Sequence, residues 1–172
     1  MKNKQNKFFK FCPVCGGKFI TKKQDHLDRL VCSKCDYVFY QNSKPTVSAL
    51  IVNKKKEILL VKRGIQPKFG SWDTPGGFLE NGEDPIVGLK REMMEELGIK
   101  LKNIKYLGIY LDSYYERYYL STLNILYEAE IASGKLKPMD DVSELRWFNK
   151  KDLPLKKIGF QWAVIALKEY IK

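Results

Sequence analysis

Two dense apolar runs, at residues 46–52 and 57–63, flank the polar stretch Asn53-Lys54-Lys55-Lys56. That pattern predicts a strand pair joined by a polar turn. Residues 64–77, rich in Gly and Pro, predict a loop. The period then changes: Ile86, Leu89, Met93 and Leu97 recur at helical spacing. Asp84 suits the N-cap, Pro85 the first helical position and Gly98 the left-handed residue past the last turn. A helix from near Pro85 to Leu97 follows, with its four apolar residues packed inward. Residues 105–111 and 118–131, rich in β-branched and aromatic side chains, predict strands, and 145–148 predicts one more. Residues 158–171 return to helical spacing through Trp162, Ile165, Ala166 and Tyr170 and predict a terminal helix. Strands interleaved with two helices predict a three-layer α/β architecture.

Composition adds boundaries to this picture. The 172 residues are 44% hydrophobic, ordinary for a globular chain, and no apolar stretch approaches the roughly 20 residues that span a bilayer. The opening MKNKQNKFFKF holds no apolar run of secretory-signal length, so a reducing, cytoplasmic setting is expected. All four cysteines stand in two C-x2-C pairs, Cys12/Cys15 and Cys32/Cys35. Disulfides and a thioredoxin-like redox motif are the alternatives, but two such pairs at this spacing favour a zinc ribbon. Four thiolates close the coordination sphere, which makes that Zn²⁺ structural, a staple for a segment too short to build a core. The expected division is a zinc ribbon over residues 1–40 and one larger domain over 41–172.

The predicted helix also has a polar face. Glu92, Glu95 and Glu96 fall at i, i+3 and i+4, within one turn. Three crowded carboxylates repel one another unless a cation sits among them, and a hard divalent ion with oxygen ligands, Mg²⁺ above all, relieves that repulsion. A solvated acidic face is the alternative reading of the same spacing.

The surrounding residues bear on that choice. Gly77, Glu83, Arg91-Glu92, Met93, Glu95-Glu96, Gly98 and Ile99 fill every specified position of a pattern that resembles the Nudix box, G-x5-E-x7-R-E-U-x-E-E-x-G-U with U aliphatic. The resemblance implies a three-layer α/β/α sandwich with a mixed sheet, in which the box forms a loop-helix-loop. It also implies hydrolysis of a nucleoside diphosphate linked to another group, by substitution of water at phosphorus. Glu92, Glu95 and Glu96 would be catalytic carboxylates and ligands of Mg²⁺ (or Mn²⁺), with the Gly77 carbonyl as a further ligand, while Glu83 and Arg91 would pair to brace the loop. Metal-assisted hydrolysis of this kind needs no nucleophilic side chain. The single histidine, His26, lies far from the box, which argues against a Ser-His-Asp hydrolase.

A zinc ribbon ahead of such a domain resembles the NADH pyrophosphatase branch of the family. Glu144-Leu-Arg-Trp147 resembles that branch's Glu-x-x-Trp segment and makes Glu144 a candidate metal ligand or general base; a solvated surface acid is the other reading. The branch's Ser-Gln-Pro-Trp-Pro-Phe-Pro cluster is missing: the corresponding stretch, Asp112-Ser-Tyr-Tyr-Glu-Arg-Tyr-Tyr-Leu-Ser, has neither Pro nor Trp, which puts NADH specificity in question. The proline that ADP-ribose pyrophosphatases carry near this place is absent too. Tyr114 and Tyr115 fall where dinucleoside polyphosphate hydrolases carry a tyrosine, and with Arg63 they are the candidate substrate contacts.

The net charge of +11 is uneven. Residues 1–70 hold sixteen Lys or Arg against four acids, and residues 71–172 fifteen against sixteen. Nucleic acid is a conceivable partner for the basic half, but 26 of the 31 basic residues are Lys, whereas base-reading surfaces lean on Arg. Attraction of an anionic small-molecule nucleotide is the other use of that charge. The expected activity is Mg-dependent cleavage of a diphosphate bond in ADP-ribose, NADH or a dinucleoside polyphosphate. The alternatives are a nucleoside triphosphate pyrophosphatase or a non-catalytic nucleic-acid-binding protein, and the intact box favours an enzyme.

Overall fold

The computed structural model of the chain describes residues 8–115 and 120–172. They fall into two compact units: the N-terminal residues up to Ser43 grouped with Tyr115 and Leu120, and a larger unit built from Lys44–Tyr114 and Ser121–Lys172.

In the N-terminal unit, strands β1 (Phe19–Gln24), β2 (Leu27–Cys32) and β3 (Val38–Phe39) form an antiparallel sheet in that order. Gln24 pairs with Leu27, so the β1–β2 hairpin turns on Asp25 and His26 alone. Both have positive φ, 51° and 65°, as a two-residue turn matched to strand twist requires. Among the described residues of this unit only Cys12, Gly17, Leu30, Val31 and Cys32 are buried. The Phe39 ring, 4.5 Å from that of Phe9 and 5.9 Å from that of Phe19, adds a small aromatic cluster.

The larger unit contains β4 (Lys44–Val52), β5 (Ile58–Arg63), β6 (Trp72–Asp73), β7 (Gly76–Phe78), α1 (Pro85–Leu97), β8 (Ile99–Tyr115), β9 (Leu120–Gly134), β10 (Val142–Phe148) and α2 (Gln161–Tyr170). Its sheet runs β10-β5-β4-β9-β8, with β6 added on β5 and β7 on β4. β4 and β9 are parallel, whereas β4 is antiparallel to β5 and β7, so the sheet is mixed. Alternation along β4 sends Val47, Ala49 and Ile51 to one face, against Leu89, Met93 and Leu97 of α1. Leu50 and Val52 point the other way, against Trp162, Ala163, Ala166 and Leu167 of α2. Each large apolar side chain buried on these faces contributes roughly 1.5–3 kcal/mol. The result is the expected three-layer α/β/α sandwich.

Helix α1 has the caps its sequence called for. Asp84 accepts from the Ile86 and Val87 N–H groups at 2.8 and 3.2 Å, and Gly98 closes the helix at φ 65°, ψ 30°. Elsewhere the structure adjusts the reading. The segment expected as a loop holds β6 and β7, which are too short to show a period. β8 begins at Ile99 and β10 at Val142, both earlier than the apolar runs suggest. The next strand starts at Leu120 among the described residues; Tyr118, where the sequence places its start, lies outside them. The last helix begins at Gln161, because Ile158 bridges to Trp72 and the Gly159 N–H donates to the Trp72 carbonyl, holding that segment extended. Asp112 of β8 then accepts from the Trp162 N–H at 2.9 Å, a remote cap where Phe160 offers none. No helix among the described residues is long and apolar enough to cross a membrane.

Candidate functional site

Two knuckles in the N-terminal unit bring four sulfurs together. Cys15 Sγ lies 3.4 Å from that of Cys32 and 3.3 Å from that of Cys35, and Cys12 Sγ lies 3.8 Å from Cys35. All four sulfurs fall within 4.8 Å of one another. A tetrahedral ion with bonds of ~2.3 Å spaces its sulfurs by about 3.8 Å, whereas a disulfide needs ~2.05 Å. Backbone N–H groups of Val14 and Lys34 point at Cys12 and Cys32, at 3.4 and 3.3 Å. The Lys34 N–H is the main reason the Cys32 thiol drops to about 6, whereas Cys35, against the pull of the Tyr37 N–H, is pushed up to about 12 by Cys15 and by burial. The donor set fits a metal ion.

The larger unit encloses a cavity of about 260 Å³. Helix α1 lends it Glu92, Glu95 and Glu96, β6 lends Asp73, and the turn before β10 lends Asp140 and Asp141. Gly76 and Gly77 pass directly under these acids. A Cβ on Gly77 would sit 2.5 Å from the Glu92 carboxylate, which would have to swing out of its present place to admit it. Glu96 is buried and accepts from the Gly76 N–H at 2.9 Å. Burial outweighs that bond and, with the charges of Glu92, Asp73 and Asp141 nearby, pushes its pKa up to about 8. Asp73, also buried, is pushed up to about 7 by desolvation, against the pull of Arg63, whose Nη1 lies 3.8 Å away. Burial likewise raises Glu92 and Asp141. Closely packed acids kept out of water in this way fit a divalent cation. They do not form as tight a cluster as the thiols: among the described residues only the cysteines bring three or more such donors within 4.8 Å of one another.

Arg91 organises the acids from beside the helix. Its Nε and Nη2 donate to Glu83 at 2.9 Å each, and Nη2 also donates to the Phe78 carbonyl at 3.1 Å, tying the loop to the helix. This holds Glu83 down to about 2. Nη1 reaches Glu92 at 2.7 Å and Glu95 at 2.9 Å as well, so the pair expected from the sequence is the centre of a four-residue network.

Aromatic and neutral polar residues complete the lining. Tyr114 stacks on Phe160 at 5.6 Å with 9° between the planes, and meets Phe78 edge-on at 5.1 Å. Arg63 lies over the Phe160 ring at 5.2 Å and its Nη2 is 3.5 Å from the Tyr114 hydroxyl. Thr46, Ser48, Thr122 and Asn124, buried on the parallel β4–β9 pair, add polar groups, with the Thr46 hydroxyl donating to Asn124 Oδ1 at 2.7 Å. Thr74 Oγ1 is buried with no hydrogen-bond partner among the described residues.

Of the residues singled out in the sequence, Glu92, Glu95, Glu96, Gly77, Arg63 and Tyr114 meet at this cavity; Tyr115 is not part of its lining. Residues 116–119, within the stretch that departs from the NADH pyrophosphatase pattern, lie outside the described residues. Glu144 lies apart from the cavity residues. A register shift between Val142 and Glu144 in the β10–β5 pairing sets it beside Lys62, and its carboxylate accepts from Lys62 at 3.0 Å and Arg146 at 2.7 Å. The Lys62 bond, helped by Arg146, lowers its pKa. It does not line the cavity; Asp141, three residues earlier, does. Asp73 also escaped the sequence reading, although an acid beside a buried Trp and ahead of Thr-Pro-Gly-Gly was a usable signal.

A family model described as NUDIX domain matches residues 42–167, and a zinc-ribbon model described as Nudix N-terminal matches 10–41. A crystal structure of a NUDIX hydrolase from Nitrosomonas europaea is 30% identical, covers 94% of this chain and 90% of its own, and superposes with a TM-score of 0.75. A MutT NUDIX hydrolase from Burkholderia pseudomallei is 29% identical over 74% of this chain and 98% of its own, with a TM-score of 0.66. Among curated proteins, the NAD-capped RNA hydrolase NudC of Vibrio parahaemolyticus is 31% identical over 147 residues, which is 84% of this chain and 53% of that protein. The chain spans about half the length of the curated relatives it matches.

Proposed function

The chain belongs to the Nudix family, and on that premise we propose that it hydrolyses the diphosphate bond of a nucleoside diphosphate linked to another group. The observation that carries this reading is buried Glu96, which has one backbone donor and the like charges of Glu92, Asp73 and Asp141 around it. Such a carboxylate needs a cation to ionise near neutral pH. A divalent ion, Mg²⁺ or Mn²⁺, held by Glu92, Glu95, Glu96 and the Gly77 carbonyl would neutralise a diphosphate and supply a water of lowered pKa.

The chain's own residues do the rest. Arg91 holds Glu92 and Glu95 in place, and its bonds to Glu83 and the Phe78 carbonyl fix the loop on which Gly77 sits. Asp141, in the cavity with a raised pKa, is positioned to take the proton of the attacking water, the role the sequence suggested for Glu144. Tyr114, braced by the buried Phe160, is the aromatic contact for a nucleobase, with Arg63 beside it as the cation for a phosphate. Thr74 Oγ1, a buried hydroxyl in need of a partner, suits a substrate oxygen. In the N-terminal unit the four thiols suit a structural Zn²⁺, and unoxidised thiols suit a reducing, cytoplasmic setting.

The name shared by the curated relatives puts NAD-capped RNA beside ADP-ribose, NADH, dinucleoside polyphosphates and nucleoside triphosphates as substrates to test. Purified protein incubated with each, with Mg²⁺, with Mn²⁺ and with a chelator, is expected to convert at least one into two phosphate-bearing products in a metal-dependent way. Failure to cleave any of them in the presence of metal would overturn the proposal.

A further inference from the structure

The N-terminal unit has a groove of its own, of about 430 Å³, to which Phe9, Phe11 and Phe19 contribute rings and Lys10 and Lys18 contribute ammonium groups. Phe9 and Phe19 are half-buried, braced by Phe39 at 4.5 and 5.9 Å. Phe11 is different: it is 61% exposed, although its backbone is fixed by a bridge to Lys18. Other apolar side chains of this unit are exposed too, Val14 and Leu27 among them, but Phe11 is the exposed ring that lines the groove beside two lysines. Strand β1, at the edge of the sheet, is exposed from Ile20 to Gln24 and adds Lys22 and Lys23 to the same unit. Through residue 43 the sequence carries nine Lys or Arg against three Asp. A closed four-thiol site takes no part in chemistry, which leaves this surface with no assigned role.

We propose that this groove binds single-stranded nucleic acid, with bases stacking on Phe11 and its neighbouring rings and phosphates meeting Lys10 and Lys18. Exposed rings interleaved with cations are the arrangement that holds a strand irrespective of sequence, because every base has a π-face and every linkage a negative charge. Lysine suits such a surface because it neutralises the backbone as a point charge, whereas Arg is the residue that reads base edges. An acidic peptide would engage the lysines but leave the rings unused, and a duplex keeps its bases out of their reach. The inference does not rest on the hydrolase reading, since binding is measured without turnover and either can fail alone.

The test is fluorescence anisotropy of a labelled single-stranded RNA of about 12 nucleotides, a length suited to one such site, titrated with zinc-loaded protein at low and moderate salt. Binding is expected, and Phe11→Ala should weaken it about tenfold, with Phe11→Tyr restoring it. Lys10→Ala combined with Lys18→Ala should weaken it further and reduce the slope of log K against log salt by about 1.4. Zinc content marks variants whose ribbon is intact; should Phe11→Ala fail that check, Phe11→Leu, apolar but without a ring, takes its place. Absence of binding, unchanged affinity on removing the ring, equal binding of a duplex of the same length, or equally effective competition by inorganic polyphosphate would each overturn the proposal.

Discussion

Two clusters of metal-ligating residues sit in this chain on opposite terms. In the N-terminal unit the thiols are themselves much of what is buried: among the described residues Cys12 and Cys32 stand beside only Gly17, Leu30 and Val31. In the larger unit two apolar cores, one between the sheet and α1 and one between the sheet and α2, are complete without any of the acids. There the buried acids Asp73 and Glu96 are a burden on the fold, since each is held where its charge is poorly solvated. On the proposed reading the difference separates an ion that would support structure from one that would support chemistry. Remove the first and the fold has little left; remove the second and the fold is relieved.

The largest expected effect follows from the thiols. Stripping zinc, or Cys32→Ser, should unfold the N-terminal unit, because a structural zinc contributes on the order of 10 kcal/mol of apparent binding energy to a segment with almost no core. Hydrogen exchange should then lose protection across β1 and β2 and keep it across β4 and β5. Equal protection with and without zinc would show that the ribbon stands on its own packing.

A smaller effect separates two acids near β10. Asp141→Asn should lower turnover by roughly a hundredfold, in line with what a positioned acid or base contributes when its proton acceptor is lost. Glu144→Gln should leave turnover unchanged and alter stability by about 0.5 kcal/mol, since its partners Lys62 and Arg146 hold it in a partly exposed ion pair. The reverse ranking would return Glu144 to the site.

The third effect is a pH dependence. In the folded, metal-free protein Glu96 titrates at about 8 and Asp73 at about 7, both raised by burial, whereas in the unfolded chain they titrate near ~4. Over that window the folded state holds protons that the unfolded state has released. The stability tied to those protons is present below about pH 4 and is lost as pH rises through 7 and 8. Melting temperature without metal should therefore fall between about pH 5 and pH 8, and saturating Mg²⁺ should flatten the fall. A flat metal-free profile would show that the acids are better solvated than their burial indicates.

Much of this was legible in the sequence where the determinants are local. The ends of α1 were fixed by Asp84, Pro85 and Gly98, and its inward face by Leu89, Met93 and Leu97, all within one helix. The cysteine knuckles were equally local. What stayed hidden depends on distant partners. Thr46 meets Asn124 across a parallel pairing 78 residues apart, so the polar part of the cavity could be seen only once that register was known. Asp73 sits in a two-residue strand with no period to betray it. Asp141 lines the cavity and Glu144, three residues on, is paired beside Lys62 on the strand, a difference that could be seen only once the β10–β5 pairing was known. Tyr114 and Tyr115 were indistinguishable as a pair, and only the first lines the cavity.

The central claim is that the buried acids serve catalysis and the fold does not need them, and Glu96→Gln tests it directly. Turnover of the best substrate with Mg²⁺ and the melting temperature of the metal-free protein should be measured on the same preparation. Turnover is expected to fall by at least about a thousandfold, as one ligand charge is lost from the site, while the melting temperature at neutral pH stays level or rises. Wild-type turnover in this variant, or lost activity accompanied by a collapse of the fold, would contradict the account.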